Sequence, residues 1–379
     1  MLKDCVAIFY ISSTKLTLSV CERSVNGSFS FRANEECEAY TFFDGEFYDV
    51  KAFEESVCAL HKRLIVNSSV SEINTVYVGV PGEFTKTLTK KCRIRFGTVK
   101  KISKDDVLAL YKNGLDEEDN EYTLSHRTAS YFVVDNYKTH EPIGKKATSL
   151  SARIYYSLIS NYFTSVVSGV FNKIGVKNVK YISQDYAEGT YLFPLQERDQ
   201  TKLLINVSKT TTSLSIVYGN GLLFSSAFSV GSANVIAEYM EKYECDYEVA
   251  ELLFNKLNLG LKDRGGALYL VSDRRYGDYT FPRNEVNEKA KEVLDLIAEN
   301  CDNAISKCKL KIPSDIEIAF TGDGICHVKG ATQYISMRLG VFPVVVSPSV
   351  PHYNKPSHTS WLSLIDTAIS ASKNKTFFA

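Results

Sequence analysis

The chain is expected to be an α/β protein of two lobes that carries a small inserted α+β domain. Three observations lead there. Its 379 residues exceed what one small core needs, and domains of roughly 100–200 residues make two lobes the natural division. Runs of β-branched and aromatic residues alternate with amphipathic helical runs along nearly the whole length. A strand, polar turn, strand unit at 6–21 is echoed at 203–218. Two duplicated halves, each opening on such a hairpin, would set two turns opposite one another across a cleft, which is what a nucleotide clamp needs.

In order, 6–10 and 16–21 read as a hairpin around a small polar turn. A strand is expected near 39–43. A helix follows at 51–65, with Phe53, Val57, Leu60 and Leu64 on one face. Residues 75–80 form a buried strand ended by Pro81-Gly82. Over 86–101, Cys92, Ile94 and Phe96 alternate with Lys91, Arg93 and Arg95, so this is a strand with one wet, basic face. Ser103, with Asp106 three residues on, starts a helix. The acidic run 116–121 is a solvated loop, and 123–137 returns to strand. Strands at 150–159 and 179–182 flank a helix at 162–174, and a short helix at 185–192 follows. Three strands lie at 203–207, 213–217 and 222–228, then helices at 233–242 and 247–257. Val286, Ala290, Val293, Leu294, Ile297, Cys301 and Ile305 mark a long amphipathic helix over 286–308. Strand 316–320, the turn 321–324, helix 330–339, strand 341–346 and a final helix at 360–370 complete the chain. The expected domains are 1–72 with 148–197 (first lobe), 73–147 (insert), 198–232 with 309–379 (second lobe, its last helix packing back on the first) and 233–308 (second-lobe small subdomain).

Forty-four Lys and Arg against 44 Asp and Glu leave no net charge, so no nucleic-acid partner is expected. Nine cysteines, an odd number without a CxxC pair, argue against a zinc site or a disulfide framework, and the six histidines show no metal-ligand spacing. The N-terminal apolar run is too short for a signal peptide, and no stretch approaches the roughly 20 apolar residues of a membrane span. A cytoplasmic location is expected.

The order of these pieces resembles the bacterial division protein FtsA, of the actin-like ATPase (ribonuclease-H-like) fold. Its first phosphate hairpin, D-I-G-T-S-K, falls on Tyr10, Ile11, Ser12, Ser13, Thr14 and Lys15. The small division-specific (SHS2-type) domain opens on V-G-I-S-G, here Val78-Gly79-Val80-Pro81-Gly82. It runs on through I-x-x-x-D-V (Ile102, Asp106, Val107) and Y-x-V-D before P-x-G (Tyr131, Val134, Asp135, Pro142, Gly144). The second hairpin, D-I-G-G-G-T-T-D-I, falls on Asn206, Val207, Ser208, Lys209, Thr210, Thr211, Thr212, Ser213 and Leu214. Gly231 sits in the I-P-x-G-G element, Ala250-Glu251 matches the A-E element that touches the nucleoside, and the adenosine turn keeps Gly322 and Gly324.

The departures decide the functional expectation. In this fold a hairpin Asp supports Mg²⁺ and glycines let amides close on phosphates. Here Tyr10 and Asn206 replace the two Asp, Ser208, Lys209 and Thr210 replace glycines, and Phe254 replaces the Lys expected after Glu251. The resemblance therefore implies a pseudo-ATPase scaffold with no catalytic residue, no metal and no required cofactor. Weak ATP or ADP binding is the alternative, through Ser12, Ser13, Thr14, Lys15, Ser208, Lys209, Thr210, Thr211, Gly231, Glu251, Gly322 and Gly324. The plainer reading of those residues is an ordinary pair of hairpin turns. Expected partners are an FtsZ-like acidic tail or other division proteins. Arg264, Arg274, Arg275 and Arg283 are the docking candidates, though they lie among Asp263, Asp273 and Asp278 as mixed-sign loops commonly do. Self-association is expected through 73–147. Membrane contact is expected only through partners at its inner face, because Trp361, Leu362, Leu364, Ile365 and Ile369 match a core helix and only 371–379 remains beyond it. Two other classes stay open: a working ATPase of this fold, and an adaptor like the pilus protein PilM.

Overall fold

The computed structural model describes residues 5–24, 28–114, 120–261, 265–273, 275, 277–308 and 316–373. They form two compact units. The first comprises Met1–Lys202, Ser215–Ser226 and Ser360–Ala379, and the second Leu203–Leu214 and Ala227–Thr359.

The first unit opens on β1 (Val6–Ile11) and β2 (Lys15–Arg23), which pair antiparallel from Val6↔Cys21 to Ile11↔Leu16. Then come β3 (Phe29–Glu38), the short β4 (Phe42–Phe43) and β5 (Glu46–Phe47), α1 (Val50–Asn67) and β6 (Thr75–Val80). With β11 (Asn178–Ser183) they build a sheet of order β11-β6-β1-β2-β3. Asp49 caps α1 by accepting from the Lys51 and Ala52 amides at 2.8 and 3.1 Å. The four-residue stripe Phe53, Val57, Leu60 and Leu64 is buried as its spacing predicts. Helix α3 (Asn161–Lys173) buries Phe163, Val167, Val170 and Phe171 in the same core. There Phe84 meets Phe163, Phe42 and Phe47 with ring centroids at 4.8, 5.2 and 5.6 Å.

A second sheet consists of β7 (Thr85–Lys101), β8 (Tyr122–Val134), β9 (Tyr137–Thr139) and β10 (Lys146–Ser160), in the antiparallel order β7-β10-β8-β9. Helix α2 (Lys104–Lys112) covers its apolar face, burying Val107 and Leu110 against Cys92, Leu150, Ile154 and Tyr156. The Ser103–Asp106 capping box is formed, with Ser103 Oγ accepting from the Asp106 amide at 3.2 Å and Asp106 accepting from the Ser103 amide at 2.8 Å. This sheet runs from Thr85 to Ser160, not over 73–147. β6 belongs to the first sheet, where it pairs in parallel with β1 and β11, and β10 continues through Ser160. The cause is visible in the residues. β6 is buried on both faces, as central parallel strands are, and the inward alternation Leu150, Ala152, Ile154, Tyr156 carries β10 past the expected boundary.

Helix α4 (Gln184–Leu192) follows β11. Next come β12 (Lys202–Val207), β13 (Thr212–Tyr218), β14 (Gly221–Phe228), α5 (Ser232–Tyr243) and α6 (Tyr247–Lys256). The hairpin β15 (Leu268–Asp273) and β16 (Gly277–Pro282) precedes α7 (Arg283–Lys307), and β17 (Glu317–Thr321), α8 (Ala331–Leu339) and β18 (Phe342–Val345) follow. The third sheet has the order β14-β13-β12-β17-β18, parallel at β12–β17 and β17–β18. Residues 198–202 and 215–226, expected in the second lobe, group with the first unit. So does most of α9 (Thr359–Lys373): Trp361 Nε1 donates to Ser19 Oγ at 3.1 Å and its ring stacks on Phe31 at 5.0 Å. Among the described residues no helix is long and apolar enough to cross a membrane.

Candidate functional site

In the second unit the turn from Asn206 to Thr211 joins β12 to β13, and two glycine turns pack on it. Ser208 donates its amide to Thr211 O at 2.8 Å, closing the turn. The first amides of α5 then go to the turn's own carbonyls, Ser232 N to Ser208 O at 3.2 Å and Ala233 N to Lys209 O at 2.7 Å. Gly324 N donates to Val207 O at 2.8 Å. A Cβ on Gly231 would stand 2.4 Å from Ser208 O, and one on Gly324 2.5 Å from the same oxygen. Gly322, at φ +102°, would place a Cβ 2.2 Å from Asn206 Oδ1. The structure therefore brings Ser208, Lys209, Gly231, Gly322 and Gly324 together. It also supplies a reason for each glycine that involves no ligand: close backbone approach. Glu251 on α6 joins the group, its carboxylate 3.8 Å from Lys209 Nζ.

In the first unit Ser12, Ser13, Thr14 and Lys15 form the β1–β2 turn. Ser12 N donates to Lys15 O at 2.9 Å, while the carbonyls of Ser12, Ser13 and Thr14 accept from Thr41 Oγ1, Thr41 N and Ala39 N at 2.6, 2.9 and 3.1 Å. Lys15 is ion-paired with Glu36. Neither turn uses the left-handed backbone. Among non-glycine residues positive φ occurs only at Asp44, Asp135, Glu244 and His352 among those described, so every residue of 12–15 and 208–212 has ordinary φ. Successive amides cradle an anion in an alternating right- and left-handed or in a turn conformation, and neither turn has the alternating form. Tyr10 and Asn206 stand where the resembled family has its two hairpin Asp, and neither turn offers a carboxylate. Neither turn therefore supplies a carboxylate or an alternating amide nest to a magnesium-bound triphosphate.

Helix α4 lies where the sequence predicts a short helix, but the sequence assigns no role to its residues. Gln184 is buried with Nε2 donating to Ile11 O at 2.8 Å, tying α4 to the end of β1. Asp185 and Glu188 are 3% and 2% exposed. The signal available was a short helix with two carboxylates three residues apart on one face, which reads as a surface helix until its surroundings are known. Of the arginine cluster, Arg264 and Arg274 lie outside the described residues. Arg275 is exposed at the β15–β16 turn. Arg283 is only partly exposed, its guanidinium 5.8 Å over the Tyr269 ring.

No protein-family model matches the chain, and no curated protein matches its sequence. Solved structures do share its fold. They include PilM in a PilM–PilN type IV pilus biogenesis complex (11% identity, covering 96% of this chain and 98% of that one, TM-score 0.61). MreB5 of Spiroplasma citri bound to AMPPNP is similar at 11% identity, 98% and 99% coverage and TM-score 0.56. Ethanolamine utilization protein EutJ from Carboxydothermus hydrogenoformans is similar at 12%, 97% and 90%, and 0.51. At such identities the likeness speaks for architecture alone: this chain is an α/β protein of the actin-like ATPase fold.

Proposed function

We propose that this chain is a protein-interaction scaffold of the actin-like fold that does not turn over ATP. One observation carries the reading: the turns at 12–15 and 208–212 are built wholly from ordinary φ values, so neither has the alternating right- and left-handed form of a phosphate cradle. The missing hairpin carboxylates support it, because magnesium coordination is the other half of phosphoryl chemistry in this fold. The FtsA-like order of motifs supports a place among division proteins, with an FtsZ-like tail as partner and recruitment to the inner face of the membrane through partners. A PilM-like adaptor is the second reading, favoured by the likeness to PilM, which was solved with its partner PilN. Titration calorimetry tests the first statement: no heat of Mg·ATP binding is expected, and micromolar affinity would refute it. Affinity purification from the native cell separates the two partner readings by whether an FtsZ-like protein or a pilus component comes with the chain.

A further inference from the structure

In the order β7-β10-β8-β9, strand β7 keeps one open edge. Its first residues are held, for Thr87 Oγ1 meets Ser225 Oγ at 2.6 Å and Thr89 Oγ1 donates to Leu222 O at 3.2 Å. Beyond them Lys91, Arg93 and Arg95 are exposed on one face, while Cys92, Ile94 and Phe96 turn to the core on the other. Arg153 of β10 stands directly opposite Lys91, and Lys138 of β9 pairs with Val133 on the same cationic face. Like charges set opposite one another destabilise a sheet. Among the described residues Lys91, Arg95 and Arg153 have no ion pair, Arg93 reaches only Ser149 Oγ at 3.4 Å, and Arg153 Nε is buried without a hydrogen-bond partner. Two carboxylates beside these strands are engaged: Asp199 with Lys138 at 2.7 Å, and Asp135 with the Thr148 and Ser149 amides at 3.0 and 2.8 Å.

We propose that this edge accepts a strand of another protein in which carboxylates alternate with apolar residues. Residues two apart on a strand repeat at about 6.6–6.8 Å, so carboxylates at alternate positions of an added strand would each meet one of Lys91, Arg93 and Arg95 across the ladder. The residues between them would extend the apolar face beside Cys92 and Ile94, and main-chain bonds would supply affinity. The same cations keep the edge from pairing with itself, since two β7 edges would oppose like charges. A second copy's acidic edge, β3, is an inferior occupant. Its Glu36 is paired with Lys15 and its Glu35 with Arg63 at 3.5 Å, and Arg63 also donates to Glu36 O at 2.8 Å. The proposal rests on the scaffold reading only in supposing that a partner exists.

The test uses the full chain and labelled synthetic octapeptides followed by fluorescence anisotropy. A peptide of strictly alternating glutamate and valine is expected to bind. A block peptide of the same composition, with all its glutamates before all its valines, should bind at least tenfold more weakly, and a peptide of alternating lysine and valine should be inert. Arg93→Glu with Arg95→Glu should weaken binding at least tenfold. The milder Arg93→Gln with Arg95→Gln pair should weaken it severalfold, circular dichroism confirming that both variants fold. Equal binding of alternating and block peptides would overturn the strand pairing in favour of plain charge attraction. Binding of anionic phosphatidylglycerol vesicles, but not the peptide, through the same arginines would overturn the choice of partner. Peptide-independent dimerisation that those substitutions abolish would overturn it in favour of a second copy. Mg·ATP affinity is a separate measurement, so failure here and failure of the scaffold reading are distinguishable.

Discussion

His126 should make the first unit sensitive to mild acid, and the size of the effect follows from where the ring sits. It lies on β8 opposite Ser157, 1% exposed, with its ring 4.5 Å from that of Tyr186 and 5.6 Å from that of Tyr155. Burial disfavours the imidazolium and pushes the His126 pKa down from 6.5 to about 3. In the unfolded chain the ring takes a proton below about 6.5. Between that pH and about 3 the unfolded state therefore binds more protons than the folded one, and stability falls as pH falls. The slope approaches ~1.4 kcal/mol per pH unit, so lowering the pH from 6.5 to 4.5 should cost roughly 2–3 kcal/mol through this one ring. The chain's single tryptophan, Trp361, stacks on Phe31 in the same unit and reports its unfolding. Urea unfolding of the wild type and of His126→Phe, followed by tryptophan fluorescence from pH 7.5 to 4.5, isolates the term because the carboxylates titrate alike in both. The wild type should lose clearly more stability below pH 6.5 than the variant. Parallel pH profiles would refute the burial argument.

Three further outcomes are expected. Phe84→Ala should destabilise the first unit by about 3–5 kcal/mol, since it empties the centre of the Phe42, Phe47 and Phe163 cluster; chemical denaturation measures it, and a loss under 1 kcal/mol would contradict the packing. Gly322→Ala should cost at least about 2 kcal/mol in thermal or urea unfolding, because both φ +102° and the contact with Asn206 exclude a side chain. Asp106→Ala should cost about 1 kcal/mol through loss of the α2 capping box. The Lys100 ammonium and then the Ser103 amide hold the Asp106 pKa below its usual value, so this contribution is present above pH 3.8 and is lost as pH falls through the lower folded value. An unchanged midpoint at pH 7 would count against it.

What could be read from the sequence was whatever a single element states about itself. The α1 stripe, the Ser103 cap and the alternation of Cys92, Ile94 and Phe96 each carry their own period, and each is found where expected. β3 was missed because its exposed positions Arg32, Asn34, Glu36 and Glu38 face half-buried small or polar residues, so no apolar alternation marks it. The β15–β16 hairpin is hard to read for a related reason: charged residues crowd its turn, while Tyr269, Val271 and Phe281 are the residues it buries. The small sheet spans Thr85–Ser160 rather than the expected domain range 73–147 because β6 and β10 differ in their partners, and pairing is not a local property. Gln184 is the same case, its role fixed by carbonyls at positions 11 and 79.

On the proposed reading, two separable features keep the turns from holding Mg·ATP: the hairpin carboxylates and the backbone. A metal-supporting carboxylate can be returned by substitution, and Asn206→Asp is nearly isosteric at a position only 6% exposed. Together with Tyr10→Asp it would restore both hairpin acids of the resembled family. It would leave the backbone alone. Ser208, Lys209 and Thr210 would still hold ordinary φ, with Ser208 N on Thr211 O and the α5 amides on Ser208 O and Lys209 O. Phosphate binding needs amides aimed at the anion as well as a metal opposite it. A Thr or Lys at those places resists the left-handed conformation that glycine adopts without strain. The Tyr10→Asp, Asn206→Asp variant is therefore expected to show no calorimetric binding of Mg·ATP at millimolar concentration. Adding Ser208→Gly, Lys209→Gly and Thr210→Gly should be required before any binding appears. Binding by the doubly substituted chain alone would mean that the carboxylates, not the backbone, were the missing part, and the argument from φ would fall.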